Sequence, residues 1–523
     1  MTNATTTSAA PPAPPAPPAH APPTLSKRAS LTSVAYGLEY GAKTVVGLIV
    51  TPILVSHLGQ MLYGVYEVLV RLATYLTPIS GRPAAALKLM VASRERSNDT
   101  AAQRRSVGGA LVVWLLFLPL AVLGGAALTW FAPALTGVDP AYSSVVRLAC
   151  ALMVAAVLLG GPLAIPESVL YGMNLGYKRM ELQASLSLVG GLLTAGAAYA
   201  GLGLAGVAGA QLVLAALTGF AYWLIARAYV AWFGVARPAR GDIRSCFAMS
   251  GWLSIGDLVA KLLLASDLVI IGAMLSPTVV TMYVLTGYAA RTVVILYSAA
   301  VTSAMPGLGS LIGRKEFAWA ALVRHELLVL TWLFAAAAGT TILVWNRSFL
   351  TLWVGDQQWT GPLVNLLLVL IAMQSAFIRA DSYVIDAALR PRSRVQIGAA
   401  AAVLTLAGMI TLTPLLGLPG LCVSILAGRA VQSIGYPRVA RACLDGKETA
   451  TASPFWPIIV LAALFAAATG ASSALVVSGW LPMVAGVSLT FALAGAIAFA
   501  IGLSSADRHM LRARVAAIIG RHR

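Results

Sequence analysis

Long apolar runs recur along the whole chain, separated by short connections of Gly, Pro and charged residues. Fourteen can be drawn, at about 31–56, 62–80, 107–132, 145–170, 182–200, 205–233, 248–275, 280–310, 319–345, 361–389, 395–414, 418–441, 455–477 and 481–504. Their lengths approach the ~20 residues that carry a helix across a bilayer. Lipid offers no partner to a backbone N–H or C=O, so each run must satisfy its own as helix. The pattern predicts an all-α integral membrane protein of about fourteen transmembrane helices. Composition agrees, with 59% hydrophobic and 10% charged residues and a mean hydropathy of +0.84. A soluble domain carries about 25% charge.

Charge adds a direction. The net charge is +18, which in a soluble protein would point to nucleic acid, but here the basic residues fall between spans and report orientation. Connections on one side hold 29 of the 36 Lys and Arg, from Lys27/Arg28 through Arg82–Arg105, Lys178/Arg179, Arg227–Arg244, Arg314–Arg324, Arg390–Arg394 and Arg429–Lys447 to Arg508–Arg523. Those opposite hold only Arg347. This asymmetry predicts an even number of spans and both termini in the cytoplasm. The longest opposite connection, near 346–360, is too short for a catalytic domain, so the membrane part does the work.

The remaining signals narrow the class. Residues 1–24, with PPAPPAPPAHAPP, read as an extended solvated tail without the basic and apolar regions of a signal peptide. Cys150, Cys246, Cys422 and Cys443 form no CxxC, and neither GxxxxGK[ST] nor HExxH occurs. Nothing therefore points to disulfides, a metal site, ATP drive or a cofactor. The tail 505–523 reads either as a short basic amphipathic helix on the anionic leaflet or as a solvated end.

Charges left inside the spans carry the candidate chemistry, since each costs about 2.5–3.5 kcal/mol on insertion scales and persists only if paired or wet. Glu39/Lys43, Glu67/Arg71 and Asp257/Lys261 each place acid and base four residues apart, on one helix face. They read either as self-neutralised pairs or as partners exchanged along a transport path. Arg291 and Arg379 have no acid at that spacing, which suits an anionic ligand that a guanidinium can grip bidentately. EYGAK (39–43) and DLVAK (257–261) lie 218 residues apart, and Arg71 and Arg291 lie 220 apart, with Tyr66 and Tyr283 before them. This internal repeat predicts two six-helix lobes, 29–234 and 235–446, with a binding site between them, followed by two extra helices in 447–504. Tails at 1–28 and 505–523 complete the chain. Prolines 52, 78, 162, 166 and 306 fall inside runs and permit kinks.

Three stretches then carry a resemblance. PILVSHLGQMLYGVY (52–66) resembles the first hairpin of polysaccharide flippases, of the superfamily shared with lipid II flippases and multidrug and toxin extrusion exporters. SDLVIIGAMLSPTVVTMY (266–283) resembles that family's seventh and eighth spans, with Asp267 at its recurrent acid, and FLTLWVGDQQW (349–359) resembles the element before its tenth span. The resemblance implies a transporter, not an enzyme, that flips an undecaprenyl-diphosphate-linked oligosaccharide across the bacterial cytoplasmic membrane by alternating access. It maps the family's cationic cavity onto Lys43, Arg71, Lys261 and Arg291, beside Arg379, and offers Glu39, Asp257 or Asp267 to couple H+ or Na+. Membrane lipids and polysaccharide polymerase or export machinery are its implied partners. The acid beside three of those cations departs from the family. In lipid II flippases the last two helices help form a groove for the lipid tail. Two rivals stand: a cation-coupled drug exporter, for which the carboxylates speak, and a membrane glycosyltransferase or polymerase, against which the missing outer loop speaks.

Overall fold

The computed structural model describes residues 23–94, 99–173, 175–302, 305–389, 391–446 and 455–520. Helices follow one another as α1 (Pro23–Ile79), α2 (Pro83–Ser93), α3 (Thr100–Thr136), α4 (Ser143–Gly172), α5 (Gly176–Tyr199) and α6 (Gly203–Tyr229). Next come α7 (Arg240–Leu264), α8 (Ser266–Met274), α9 (Pro277–Thr286), α10 (Tyr288–Thr302), α11 (Met305–Gly313), α12 (Phe317–Trp353), α13 (Pro362–Ala387) and α14 (Pro391–Cys443). Last are α15 (Phe455–Ala471), α16 (Trp480–Ile497) and α17 (Ser505–Gly520). Among the described residues ten helices are long and apolar enough to cross a membrane, and the bent pair α9–α10 makes an eleventh. Both α1 and α14 hold two expected runs each, turned at Gly59 (φ 76°) and Gly417 (φ 62°). A left-handed residue costs least where there is no Cβ, which is why glycine sits at both turns. With the shorter apolar α15, the arrangement matches the fourteen runs. The chain is a multi-pass membrane protein.

Two expectations change at this level. Helix α1 begins at Pro23, inside the segment 1–28 expected to be an extended tail, while 1–22 lie outside the described residues. Several spans are also broken. The run after Gly59 passes through a break at Gly81–Arg82, where Arg82 is left-handed (φ 49°), into α2. Likewise α7 gives way to α8 at Ala265, and α9 meets α10 at Gly287 with a bend of 50°. Arg82 therefore stands at a tight break between two apolar helices.

Helices α1–α6, the first expected lobe, pack together, chiefly α4 on α6 and α1 on α5. In the second, α12, α13 and α14 pack on one another, while α7, α8 and α9 bridge the two groups, α9 on α1 and α7 on α1, α2, α3 and α14. Helices α15 and α16 lie along α12. At the hairpin end, where α1 turns, one apolar core crosses the lobes and joins Val65, Val68, Leu69 and Leu72 to Leu268, Ile271, Val280 and Tyr283. Polar contacts reinforce it: Thr281 Oγ1 donates to Gln60 O at 2.6 Å, Gln60 Nε2 to Gln358 Oε1 at 2.9 Å, and Trp353 Nε1 to Leu48 O at 2.7 Å. At the other, basic end there are two smaller cores, one of α2, α3, α4 and α6 that also takes in Cys246 of α7, with Ile243, Met249 and Leu253 packed on it, and another within α11–α14. Lobe contact there includes ion pairs from Arg94 (3.7 Å) and Arg105 (3.6 Å) to Asp242 of α7. Helix α17 is pinned to the start of α12, with His325 Nε2 2.7 Å from Asp507 Oδ1 and Arg514 bidentate on Glu326 at 3.1 and 2.7 Å. That docking departs from a solvated end.

Candidate functional site

Polar side chains converge midway along the seam between the lobes, around the break between α7 and α8. A break strands carbonyls that a continuous helix would satisfy, and buried carbonyls need donors. Here Ser266 Oγ donates to Leu262 O at 2.9 Å and Arg429 Nη2 donates to Leu263 O at 3.1 Å. Tyr75, from the first lobe, shares a 2.6 Å hydrogen bond with Ser266 Oγ and reaches Lys261 O at 3.5 Å. Two residues past the break, Asp267 lies in the first turn of α8, where the positive end of the helix dipole favours a carboxylate. It accepts from Leu268 N–H at 2.9 Å and from Tyr283 O–H at 3.1 Å. Arg71 and Asp267 both act electrostatically on Tyr75, while Asp267, Tyr283 and Arg379 act on Arg429. These residues form one network fed by both lobes.

The second break has its own braces. Arg291 folds back along its helix, donating from Nη2 to Val284 O and from Nε to Gly287 O at 3.3 Å, with its guanidinium 5.8 Å from the Tyr283 ring. Asn346 Nδ2 supplies Thr286 O at 2.8 Å and Asn365 Oδ1 at 2.8 Å. Glycine at 287 makes this possible, since a Cβ there would stand 3.1 Å from Arg291 Nη2 and 3.2 Å from Tyr283 O.

Two of the three expected acid–base pairs give way to other partners, one local and one tertiary. Glu67 accepts from Tyr63 O–H at 2.9 Å, and no ion pair joins it to Arg71 among the described residues. Arg71 keeps a buried Nε without a partner. Asp257 pairs with Arg82 at 3.3 Å instead of Lys261, because the break at Gly81–Arg82 turns that guanidinium onto α7. Lys261 and Arg379, both half-buried, have no side-chain hydrogen bond or ion pair among the described residues. Arg291 was expected free for a ligand and is instead partly spent on its own helix. Lys43 is exposed on α1 with its ammonium 6.0 Å from the Tyr40 ring, and the Glu39 side chain lies outside the described part.

Reading the sequence missed four residues. Arg82 and Arg429 were assigned to connections, yet Arg429 is 9% exposed. It precedes the end of α14 by fourteen residues, roughly 20 Å of helix. Its apolar surroundings, ILAGRAVQSIGY, were the available signal. Tyr75 carries no motif. The tyrosine equivalent to Tyr283 is Tyr63 rather than Tyr66: each stands eight residues before its arginine, and each donates to a carboxylate. Tyr66 accepts instead from Gln211 Nε2 at 3.3 Å.

Behind α10 lies a cavity of about 750 Å³ between α10, α12 and α16, lined by Val293, Leu296, Phe334, Trp345, Met483 and Phe491 among others. Its wall is almost wholly apolar. Helix α10 thus separates this groove from the charged seam.

Comparison with known proteins fits this architecture. The solved lipid II flippase MurJ in an inward closed conformation superposes with a TM-score of 0.68 at 9% identity, over 89% of this chain and 99% of that one. An inward-facing multidrug resistance transporter of the MATE family, in the MOP superfamily, gives 0.60 at 13% identity over 81% and 99%. An outward-facing MATE transporter gives 0.54 at 15% identity over 80% and 96%. The fold is that of MOP superfamily transporters. No protein of curated function matches the sequence. A family model described as polysaccharide biosynthesis protein matches residues 29–311, more than half of the 523. The chain is a member of that polysaccharide biosynthesis protein family.

Proposed function

We propose that the protein is a transporter rather than an enzyme, and that it flips a glycan linked to undecaprenyl diphosphate across the bacterial cytoplasmic membrane by alternating access. One observation carries this reading. The seam's carboxylates are occupied by protein donors, Glu67 by Tyr63, Asp257 by Arg82 and Asp267 by Tyr283, while Arg71, Lys261 and Arg379 have no such partner. A site whose acids are taken and whose cations are open favours an anion over the organic cations of a drug exporter. Arg71 comes from the first lobe and Lys261 and Arg379 from the second, so a diphosphate between them would draw the lobes together. The apolar cavity behind α10 suits a polyprenyl tail kept out of water. Asp267, within reach of Arg429 and Tyr283, is the carboxylate best placed to couple an ion, with Asp257 behind it. On the positive-inside rule, the basic connections favour both termini on the cytoplasmic side.

The test is deletion of the gene followed by extraction of lipid-linked sugars. One defined undecaprenyl-diphosphate oligosaccharide should accumulate and be cleared by the wild-type gene but not by Arg71→Ala. Unchanged lipid-linked sugars with new sensitivity to cationic drugs would instead establish the exporter.

A further inference from the structure

Helix α10 has charged chemistry on one side and the apolar cavity on the other, and it hangs from a bend that its own arginine holds. At Gly287 the axis turns by 50°. Two carbonyls exposed by that turn are met by side chains, Val284 O by Arg291 and Thr286 O by Asn346, while Gly287 O keeps the backbone N–H of Arg291 at 3.0 Å and accepts from its Nε as well. In an unbroken helix the same carbonyls need no help, because Val284 O would take the N–H of Tyr288 and Thr286 O that of Ala290. The segment therefore has two self-consistent hydrogen-bond arrangements, bent with side-chain donors and straighter with backbone donors. That is the requirement for a bistable element.

From this we infer that Arg291 is a latch: an anion that recruits its guanidinium releases the bend at Gly287, and α10 swings relative to the groove behind it. The inference rests on the diphosphate-lipid reading above and adds a regulation to that site. A ligand shifts such an equilibrium only by its difference in affinity for the two states. A diphosphate has that difference, because it competes for donors that the bent state directs at Val284 and Gly287. A charged guanidinium prefers a charged oxygen to a neutral carbonyl, since charge-assisted hydrogen bonds are about twice as strong. Asn346 carries the change across, as it braces Thr286 O while lining the cavity with Val293, Leu296 and Tyr297 of α10. Occupation of the head-group site and the width of the tail groove are then coupled. Arg291 is a positioning residue in this scheme, while Arg71 and Lys261 supply the standing charge.

The experiment is a spin-label distance between Leu296→Cys on α10 and Phe491→Cys on α16, in purified full-length protein, with and without inorganic diphosphate, alongside calorimetric binding of the same anion. A nine-residue lever turning by about 20° sweeps ~5 Å at 1.5 Å of rise per residue, so a shift of that size is expected on adding diphosphate. Gly287→Ala, whose Cβ crowds Arg291 Nη2, should show the shifted distance without any anion. Arg291→Gln should bind diphosphate more weakly and hold one distance throughout. Diphosphate that binds wild type without moving the labels, or that moves them equally in Arg291→Gln, overturns the latch and leaves the proposed function standing. If diphosphate fails to bind wild type at all, both fall.

Discussion

The two copies of the internal repeat solve one problem differently. In the first, Tyr63, Glu67 and Arg71 lie on one continuous stretch of α1, and the tyrosine donates to the carboxylate one turn ahead. At the position equivalent to Glu67 the second copy has Gly287, the break between α9 and α10. Its tyrosine, Tyr283, reaches across to Asp267 on the preceding span, and Arg291 turns to the carbonyls that the break exposes. One copy thus keeps an acid and leaves its arginine open; the other trades the acid for a hinge and engages its arginine. The same ancestral pattern yields a fixed charge on one lobe and a movable one on the other.

The sharpest way to break this contrast is to remove each arginine in turn. Arg71→Ala should abolish most transport, by ten- to a hundredfold, because a charge-assisted bond of about 1.5–3 kcal/mol is lost. Its melting temperature should stay unchanged, since the guanidinium braces nothing. Arg291→Ala should also impair transport but lower thermal stability, as the Val284 carbonyl loses its donor at about 1–3 kcal/mol at most. Equal melting temperatures for the two variants in detergent would erase the distinction.

Arg429→Ala sharpens the comparison further, because Arg429 braces the other break. It should destabilise by about 1–3 kcal/mol through the orphaned Leu263 carbonyl, with rescue by Lys incomplete, since an ammonium cannot span Ser375 and Leu263 together. Thermal melts of the three proteins decide it. Tyr75→Phe removes the 2.6 Å bond to Ser266 that ties the lobes across the seam. Its expected effect is about 1 kcal/mol toward lobe separation, read as faster labelling of a cysteine placed at the buried neighbour Ala265. The smallest effect belongs to Arg82 and Asp257. Arg82 is a third exposed, so a double-mutant cycle should return less than about 1 kcal/mol.

How much of this the chain announces depends on the range of the interaction. The spans were legible because hydropathy is a sum over some twenty residues, and Gly59 and Gly417 fall in the short gaps between predicted runs. The breaks were not, because Gly287 in TGYAAR looks like any helical glycine until Arg291 is seen folding over it. Pairing by the four-residue rule failed at Glu67 and Asp257 for one physical reason: local spacing sets who is near, while burial sets who is available. Tyr63 and Arg82 arrive with better geometry from a neighbouring turn and a neighbouring element. The positive-inside tally absorbed Arg82 and Arg429, because a count over segments does not register one arginine drawn onto a carboxylate or a carbonyl. Tyr75 left no trace in the sequence, since its role exists only once the lobes meet.

The apolar core that crosses the lobes at the hairpin end gives the transport cycle a thermal signature. Parting Leu268, Ile271 and Val280 from Val65, Val68 and Leu72 exposes a large buried hydrocarbon core, whereas the basic end has a smaller apolar contact, around Cys246 and Phe247 of α7, and half-buried ion pairs to rearrange. The stroke that opens the hairpin end should therefore carry the larger heat-capacity change. On that account turnover should show a curved temperature dependence, and trimming Val280 or Ile271 to alanine should flatten it while leaving affinity for the head group in place.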